Sequence, residues 1–497
     1  MKRKLAALLA MVMVVSSLAG CGGSSNGNAG GTETGAADGE VYEATLMYWV
    51  SNDARDVQHV EDAFNALSVP QIGVKVKLQP ITFGTYMQQI QMVLSSDDAL
   101  DVFPMFSSNA GTYIDVGYVV DIAPYLETTG ADILEIVGED DVKCCSIGEF
   151  VWGVPTMHER CNPVSYVVRT DIFEEAGFTA DDVKTMQDMT KVYEKVHELY
   201  PDMVLYNGIN SNTQPCSQST FDPLGGGNYG VLMNNGQDLT VVNWYETDEF
   251  RSLVDTMHEW NEKGYVSEDL AVSTDPGEAL MKAGNTFSFS TYAKPNSKAE
   301  KDAMIGYDTT ILQVTQPACF TSTTNALGYA VSANSENPEK AMELMNWIYK
   351  TKEANDLLNW GVEGEDYVVN EDGTIGFPEG VTAENVGYHQ DFGWAMLNQY
   401  NSYVWEGNEP DVWDQYQEVR DNAIVSKAYG FTFDSTPVIN EIAALTAVTE
   451  QYLTTIASGQ VDPETSIMEM NDALYAAGLQ KVMDEKQAQL DAWLAEQ

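Results

Sequence analysis

Residues 45–106 read TLMYWVSNDARDVQHVEDAFNALSVPQIGVKVKLQPITFGTYMQQIQMVLSSDDALDVFPMF, and their hydrophobic pattern decides the fold. The stretch opens on a β-rich run at 45–50 and closes on another at 101–106. Between them, residues 73–81 alternate apolar and polar side chains, a two-residue period that is typical of a strand. The pattern therefore predicts three strands.

Helical periodicity fills both gaps between these strands. The apolar positions that would share a helix face are Val57, Val60, Phe64 and Leu67 before the second strand, and Met87, Ile90 and Leu94 after it. Strand, helix, strand, helix, strand with short connections predicts a parallel, doubly wound sheet.

Ligands of such sheets bind beyond the carboxyl ends of the strands. The side chains at the ends of the first and third strands are therefore candidate ligand contacts: Trp49, Asn52, Asp53, Arg55, Phe106, Ser107 and Ser108. Two alternatives stay open. Trp49 could pack beneath the first crossover helix, and Asn52 or Asp53 could cap that helix.

The first forty residues have the layout of an export signal and a tether. Three basic residues precede an apolar run at 5–15, which is shorter than the roughly 20 residues that span a bilayer. We therefore expect residues 1–20 to be removed as a signal peptide. Leu18-Ala19-Gly20-Cys21 resembles the bacterial lipobox, which implies lipidation of Cys21. Residues 21–40, rich in Gly and Ser, are expected to form a flexible tether.

Length and charge narrow the class of protein. The chain has 497 residues, more than a single hydrophobic core usually accommodates, so two lobes are expected. Its formal net charge of −50 would repel a phosphate backbone, which argues against nucleic-acid binding.

The cysteines and histidines give no metal signature. The cysteines are Cys21, Cys144, Cys145, Cys161, Cys216 and Cys319. With Cys21 lipidated, five remain, so at least one is unpaired within a monomer. Bridges from Cys144 to Cys161 or from Cys216 to Cys319 are both possible. The five histidines are scattered, so we predict neither a metal nor a cofactor.

Further elements follow downstream. Residues 165–173 run from a strand into a helix, and 181–200 are predicted helical. Asn337 is a good N-cap, with Pro338 at the first position of a helix entered from a strand. The glycines at 225–227 lack the Lys-Ser/Thr of a phosphate loop and are interpreted as a turn.

Several segments together carry a family resemblance. They are WGVP at 152–155, YVVRTDIFEEAG at 166–177, NPEKAMELMNWIY at 337–349, NWGVEGEDY at 359–367, YGFTFD at 429–434 and EKQAQLDAWL at 485–494. With the anchor and the opening strand, they resemble family 1 extracellular solute-binding proteins of ABC importers. Within that family, the last three segments are similar to those of large lipoproteins encoded with carbohydrate-type permeases in Gram-positive bacteria.

The resemblance implies an α/β, two-lobed fold of the type II periplasmic-binding-protein class, with a helix-flanked central sheet in each hinged lobe. Residues 41–165 plus 291–327 would form lobe 1, and 166–290 plus 328–497 lobe 2, with crossings near 165, 290 and 327. The protein would be a monomer, lipid-anchored on the extracellular face of the cell membrane. It would capture a sugar, expected to be an oligosaccharide, by hinge closure and deliver it to the permease subunits.

Sugar recognition adds further candidates, because flat C–H faces need aromatic platforms and hydroxyls need polar partners. His158 and Glu159 follow WGVP, where the resembling proteins place ligand contacts near the hinge. Tyr292 lies near the expected second crossing. Candidates for the stacking platform are Trp360, Trp394, Tyr403 and Trp405.

Other functions remain open at this point. A peptide or amino-acid receptor on the same fold would use similar polar groups. An exported glycan-cleaving enzyme would need a carboxylate pair, but the 75 acidic residues single out none, and the sequence has no Gly-x-Ser-x-Gly or His-Glu-x-x-His motif. A structural or adhesive surface protein would lack a cleft. We expect a binding protein and not an enzyme.

Overall fold

The computed structural model describes residues 41–50, 55–208, 220–390 and 392–496. Two main sheets are formed by β1 Tyr42–Val50, β2 Val74–Thr82, β3 Val102–Phe106, β4 Val154–Pro155, β5 Val164–Arg169, β6 Val204–Tyr206, β7 Thr286–Tyr292, β8 Thr309–Gln313 and β9 Leu327–Val331. Two-residue ladders pair Ser146–Ile147 with Phe150–Val151, Val231–Leu232 with Val241–Val242, Ala318–Cys319 with Ile424–Val425, and Val368–Val369 with Ile375–Gly376.

Helices cover both sheets. The longer ones are α1 Gln58–Ile72, α2 Phe83–Leu94, α3 Met189–Leu199, α4 Asp248–Glu262, α5 Ser297–Ile305, α6 Pro338–Lys350, α7 Lys352–Trp360, α8 Val412–Asp421, α9 Ile439–Ala457, α10 Pro463–Ala477 and α11 Leu479–Leu494. Shorter helices span Ala110–Val116, Ala123–Leu126, Ala131–Val137, Glu139–Lys143, Thr170–Glu175, Gly277–Lys282 and Thr321–Thr324. Within these ranges, none is long and apolar enough to cross a membrane.

The first sheet has the order β2-β1-β3-β9-β4. β1 pairs in parallel with β2 over its whole length and also with β3, as the strand and helix pattern predicts. β9 runs antiparallel to β3 and to β4, so the sheet is mixed and not wholly parallel. The edge strand β2 alternates buried Val74, Val76 and Leu78 with exposed lysines, whereas most of the inner strand β1 is buried.

The second sheet has the order β8-β5-β7-β6. Its inner strand β5 is antiparallel to both β7 and β8, and β6 joins β7 in parallel. Each sheet has its own hydrophobic core. One core joins β1, β2 and β9 with α6 and α7, and the other joins β5 and β6 with α3, α4 and the C-terminal helices α9 to α11. The chain is therefore the two-lobed α/β fold that the sequence predicts.

The sheet topology corrects the expected lobe boundaries. No crossing occurs near 290, because β7 continues to Tyr292 and β8 pairs with β5 in the second sheet. Residues 291–313 therefore belong with the second sheet and not the first. After the crossing at 314–326, β9 pairs with β3, and α6 and α7 pack in the first core, so residues 328–360 do not belong to the second lobe. The chain returns to the second core in the segment that contains Ala428 and Phe431.

The helix predicted over 181–200 is shorter than its periodicity suggests. α3 begins at Met189, because Asp188 accepts hydrogen bonds from the backbone N–H groups of Lys184 and Thr185 and closes a turn ahead of it. The predicted start of α6 is confirmed: Asn337 accepts from the N–H of Lys340, and Pro338 is the first helical residue.

The disulfide differs from both pairings considered from the sequence. Cys161 bonds to Cys319 across a Cα separation of 4.8 Å, while Cys144 and Cys145 are buried and free. Cys216 lies outside the described residues. Cys161 lies in the first crossing between the sheets and Cys319 in the second, so the bond joins the two connecting segments.

Candidate functional site

A cluster of rings forms at the carboxyl edge of the first sheet. β1, β2 and β3 are parallel, so their carboxyl ends meet there, and each has an aromatic residue at or next to its end: Trp49, Phe83 and Phe106. The centroid of Trp49 lies 5.0 Å from that of Phe83 and 4.9 Å from that of Phe106. Phe392 and Trp394 join from a later loop, with Trp394 6.0 Å from Trp49. These five residues are called the first aromatic group.

The first aromatic group is layered. Trp49 is only 1% exposed, and within the described part of the chain its indole N–H has no hydrogen-bond partner. Phe83 is 42% exposed and Trp394 is partly exposed. Trp49 therefore supports the group from below, while Phe83 and Trp394 present ring faces. Such faces suit the apolar C–H surface of a ring-shaped ligand.

His158 lies at the near end of the first crossing. Its ring centroid is 6.4 Å from that of Trp394, and its Nδ1 is 3.0 Å from the hydroxyl of Thr156. Burial, together with the nearby charge of Arg160, lowers the pKa of His158 to about 3. The imidazole is therefore neutral at physiological pH and can offer a donor or an acceptor without carrying a charge.

Glu159 links this crossing to the second sheet. One carboxylate oxygen lies 3.4 Å from Nζ of Lys294, just beyond β7, and Lys294 also pairs with Glu300 at 3.0 Å. The other oxygen of Glu159 is buried and has no partner in the described ranges. Burial alone would lower the pKa of Lys294, but the two carboxylates raise it above its usual value, so the amine stays charged.

A cavity lies at the far end of the same crossing. Its volume is about 280 Å³, close to the lower end of ordinary ligand pockets at roughly 300 Å³. The polar and aromatic side chains that line it include Asn162, Phe221, Asn228, Tyr292 and Phe320. This space is called the crossover cavity. Asn162 of the first crossing, four residues after His158, borders this cavity, while its rings come from distant segments of the chain.

A second aromatic group, made of Trp360, Phe377, His389, Tyr403 and Trp405, lies elsewhere in the first lobe. Trp405 packs 5.5 Å from Trp360, 4.6 Å from His389 and 4.7 Å from Phe377, measured between ring centroids. The indole of Trp360 donates to the carbonyl of Tyr403 at 3.1 Å. No ring contact in the described structure joins this group to the first aromatic group.

The structure thus brings some predicted site residues together and separates others. Trp49, Phe106, Trp394 and His158 form one cluster, Glu159 follows in the first crossing, and Tyr292, at the end of β7, lines the crossover cavity. Ser107 and Ser108 open a short 3-10 helix at the same sheet edge. Arg55 is exposed and lies 3.4 Å from the carbonyl of Val386. Trp360, Tyr403 and Trp405 belong to the second aromatic group, and Asn52, Asp53 and Cys21 lie outside the described residues.

Sequence reasoning missed part of the site. Phe83 directly follows β2, so the strand-end rule applied to β1 and β3 would have found it. Phe392, Phe221 and Phe320 come from irregular segments, where no periodicity marks a residue that faces a cavity. Among the residues that the structure describes, no group of three or more His, Cys, Asp or Glu side chains could hold a metal ion.

Two sheets with separate cores, joined by crossing segments, have the two-lobed architecture of solute-binding proteins. Residues 58–355 match the family of bacterial extracellular solute-binding proteins, and residues 427–495 match a domain of unknown function. The chain belongs to the bacterial extracellular solute-binding protein family. The resemblance seen in its motifs is confirmed, and the protein is a solute-binding protein rather than an enzyme.

Individual relatives extend along nearly the whole chain. A carbohydrate ABC transporter substrate-binding protein of Streptococcus pneumoniae serotype 4 is 24% identical over 493 residues, which cover 97% of this chain and 96% of the relative. The crystal structure of the N-glycan transport solute binding protein of Streptococcus pneumoniae is similar with a TM-score of 0.78 and 22% identity, covering 91% of this chain and 99% of the other. The same protein in complex with Man5GlcNAc has a TM-score of 0.68 over 92% of this chain and 99% of the other, again at 22% identity.

Proposed function

We propose that this protein is the extracellular carbohydrate receptor of an ABC importer and that it captures an oligosaccharide between its two lobes. The observation that carries the proposal is the layered first aromatic group beside His158, with the crossover cavity a few residues further along the same crossing. Ring faces, a neutral imidazole and side-chain amides are the groups that a sugar needs. An anionic ligand would instead need a cluster of cationic side chains that are not already paired with carboxylates.

Two relatives support a carbohydrate ligand. The curated relative is a carbohydrate transporter component, and the solved relative has been crystallised with mannose and N-acetylglucosamine glycans. Both cover more than nine-tenths of this chain, so the support extends to both lobes.

Hinge closure would couple binding to delivery. Two connecting segments, tied by the Cys161–Cys319 bond, lead from one sheet to the other. A ligand that touches the first aromatic group and the crossover cavity at once stabilises only the closed form, because both contacts exist only there. The closed shape is what the permease subunits would recognise.

Lipidation of Cys21 would hold this monomeric body at the outer face of the membrane. The support is the lipobox-like sequence at 18–21 and the glycine-rich tract that follows it. A Cys21→Ala variant should move from the membrane fraction to the culture medium and take up no labelled palmitate. Retention of the variant in the membrane would contradict this part of the proposal.

Thermal shift and calorimetry test the ligand class. Man1GlcNAc, Man5GlcNAc, a series of neutral oligosaccharides, sugar acids and unrelated peptides would be added to the purified protein. A ligand at 100 times its dissociation constant adds about 2.7 kcal/mol of stability, enough to raise Tm measurably. Stabilisation by peptides alone would favour the peptide or amino-acid receptor. Conversion of a bound sugar would contradict the role of a receptor.

A further inference from the structure

The loop at residues 223–230 lines the crossover cavity but has little regular structure of its own. Pro223, Gly225, Gly227 and Asn228 border the cavity. Leu224 and the glycines at 225, 226, 227 and 230 all have φ between 59° and 93°, a backbone that L side chains rarely adopt. Neither a helix nor a strand fixes this stretch, so its shape must be set by contacts from elsewhere.

The ammonium of Lys486 supplies such contacts. Lys486 lies on α11 and is fully buried beneath the loop. Its Nζ donates to the carbonyls of Pro223 at 2.9 Å, Gly227 at 3.1 Å and Gly230 at 2.9 Å. An ammonium has three N–H donors, so each donor has one acceptor and all three acceptors come from the same loop.

The groups around Nζ of Lys486 favour a positive charge at this position. The carboxylate of Asp222 is buried next to the loop and favours the charged amine. The ring of Phe433 lies 5.5 Å from Nζ. Burial lowers the pKa of Lys486 to about 7, and the carboxylate of Asp222 opposes this shift, so the ammonium form is still populated near neutral pH. A buried ammonium without such acceptors would be strongly unfavourable.

We propose that Lys486 is a positioning residue for ligand binding, whose ammonium gathers three carbonyls and holds the loop at 223–230 in the shape that lines the crossover cavity. Lys486 itself does not touch the ligand. The inference rests on the proposed function, because the crossover cavity is taken as the part of the sugar site that belongs to the second lobe.

Lys486→Met tests the proposal by keeping the buried stem and removing the donors. Calorimetry with Man5GlcNAc should give at least tenfold weaker binding than for the wild-type protein. Lys481→Met is the matched control, because Lys481 lies on the same helix but pairs at the surface with Glu441 at 2.6 Å. The control should bind within twofold of wild type. Equal affinity of Lys486→Met and wild type would overturn the proposal.

Hydrogen exchange gives a readout that does not depend on the ligand. Without sugar, amides at 224–230 should exchange at least tenfold faster in Lys486→Met than in wild type or Lys481→Met, while the strands of the second sheet keep their protection. Unchanged exchange in the loop would overturn the proposal. If the loop loosens but wild type binds no carbohydrate, the proposed function fails and the positioning role of Lys486 stands.

Chemical rescue separates positioning from general packing. In Lys486→Ala, propylammonium should restore both loop protection and sugar affinity, because it brings N–H donors back to the three carbonyls. Tetramethylammonium carries the same charge without donors and should restore neither. Equal rescue by both cations would contradict the role of the N–H donors. Lys486→Gln retains two N–H donors and should show loop exchange between that of wild type and that of Lys486→Met. It serves as the test variant if Lys486→Met does not fold.

Discussion

The indole of Trp394 lies 6.0 Å from the indole of Trp49 at an interplanar angle of 63°. Trp49 is the last but one residue of the first strand, whereas Trp394 belongs to a short 3-10 helix, Gly393–Ala395, that follows the first sheet in the chain. Trp49 is buried and Trp394 is partly exposed. Trp394 therefore forms the exposed part of a platform whose buried base is Trp49.

Trp394→Ala should weaken carbohydrate binding by at least tenfold. The substitution removes the partly exposed face of the platform, while Trp49 and Phe106 still fill the space beneath it. Loss of folding stability should stay well below the roughly 3–5 kcal/mol typical of deleting a buried aromatic side chain. Calorimetry with Man5GlcNAc and urea unfolding measure the two effects.

Trp405→Ala is the matched comparison and should show the opposite pattern. Trp405 packs against Trp360, His389 and Phe377, so its loss opens a gap inside the second aromatic group. We expect a loss of about 2–3 kcal/mol in the free energy of unfolding, with affinity changed by less than threefold. A variant that binds poorly but unfolds like wild type would move the platform to Trp405.

His158 should make the folded state sensitive to mild acid. Its folded pKa of about 3 lies below the ordinary value of 6.5, so between these pH values the unfolded chain binds a proton that the folded protein does not. Stability therefore falls as the pH drops below about 6.5, by up to 1.4 kcal/mol per pH unit. Between pH 7 and pH 5, wild type should lose about 2 kcal/mol more than His158→Gln. Parallel pH profiles of the two proteins would refute this assignment.

The first three strands and two helices of the first lobe could be predicted from the sequence because their hydrophobic periodicity is local. The alternation in β2 and the helical spacing in α1 and α2 depend on neighbouring residues and one buried face, and all three elements form as predicted. Residues 291–313 were wrongly assigned to the first lobe. They belong to the second because β8 pairs with β5, a contact between distant segments. No periodicity within β8 indicates which sheet it will join.

The candidate site could be predicted only in part, because it also depends on contacts between distant segments. Strand ends pointed to Trp49 and Phe106, and the first crossing to His158. The glycines at 225–227 predicted a turn, but the contact of this loop with Lys486 has no signal in the sequence, since a lysine on an amphipathic C-terminal helix is ordinarily an exposed residue. Its burial follows from three carbonyls brought together by tertiary structure.

Removal of the Cys161–Cys319 bond should destabilise the protein by about 2–5 kcal/mol, because the bond closes a long loop and ties both connecting segments. Urea unfolding of the double variant Cys161→Ser/Cys319→Ser measures the loss. Addition of a reductant should lower the midpoint of wild type toward that of the variant and leave the variant unchanged. A wild-type midpoint that ignores the reductant would show that the bond contributes nothing in solution.

Asp141→Asn should be among the most damaging single changes near the crossing. Asp141 is buried and bonds to Arg160 at 2.8 Å, to Arg420 at 2.5 Å and to the hydroxyl of Tyr429 at 2.7 Å. Arg160 is itself buried, so loss of the carboxylate leaves its guanidinium without a counter-charge, at a cost of about 3–5 kcal/mol.

Asp140→Asn is the control for that change, since Asp140 is 84% exposed and only loosely paired with Lys143 at 3.7 Å. It should alter stability by less than about 0.5 kcal/mol. The carboxylate of Asp141 contacts Arg160 in the first crossing and also Tyr429, which lies in the segment that returns to the second core. Asp141→Asn should therefore also broaden the unfolding transition, as the two lobes lose a shared contact. Similar urea midpoints for the two asparagine variants would show that the guanidinium of Arg160 finds another partner and that this network does not hold the crossing in place.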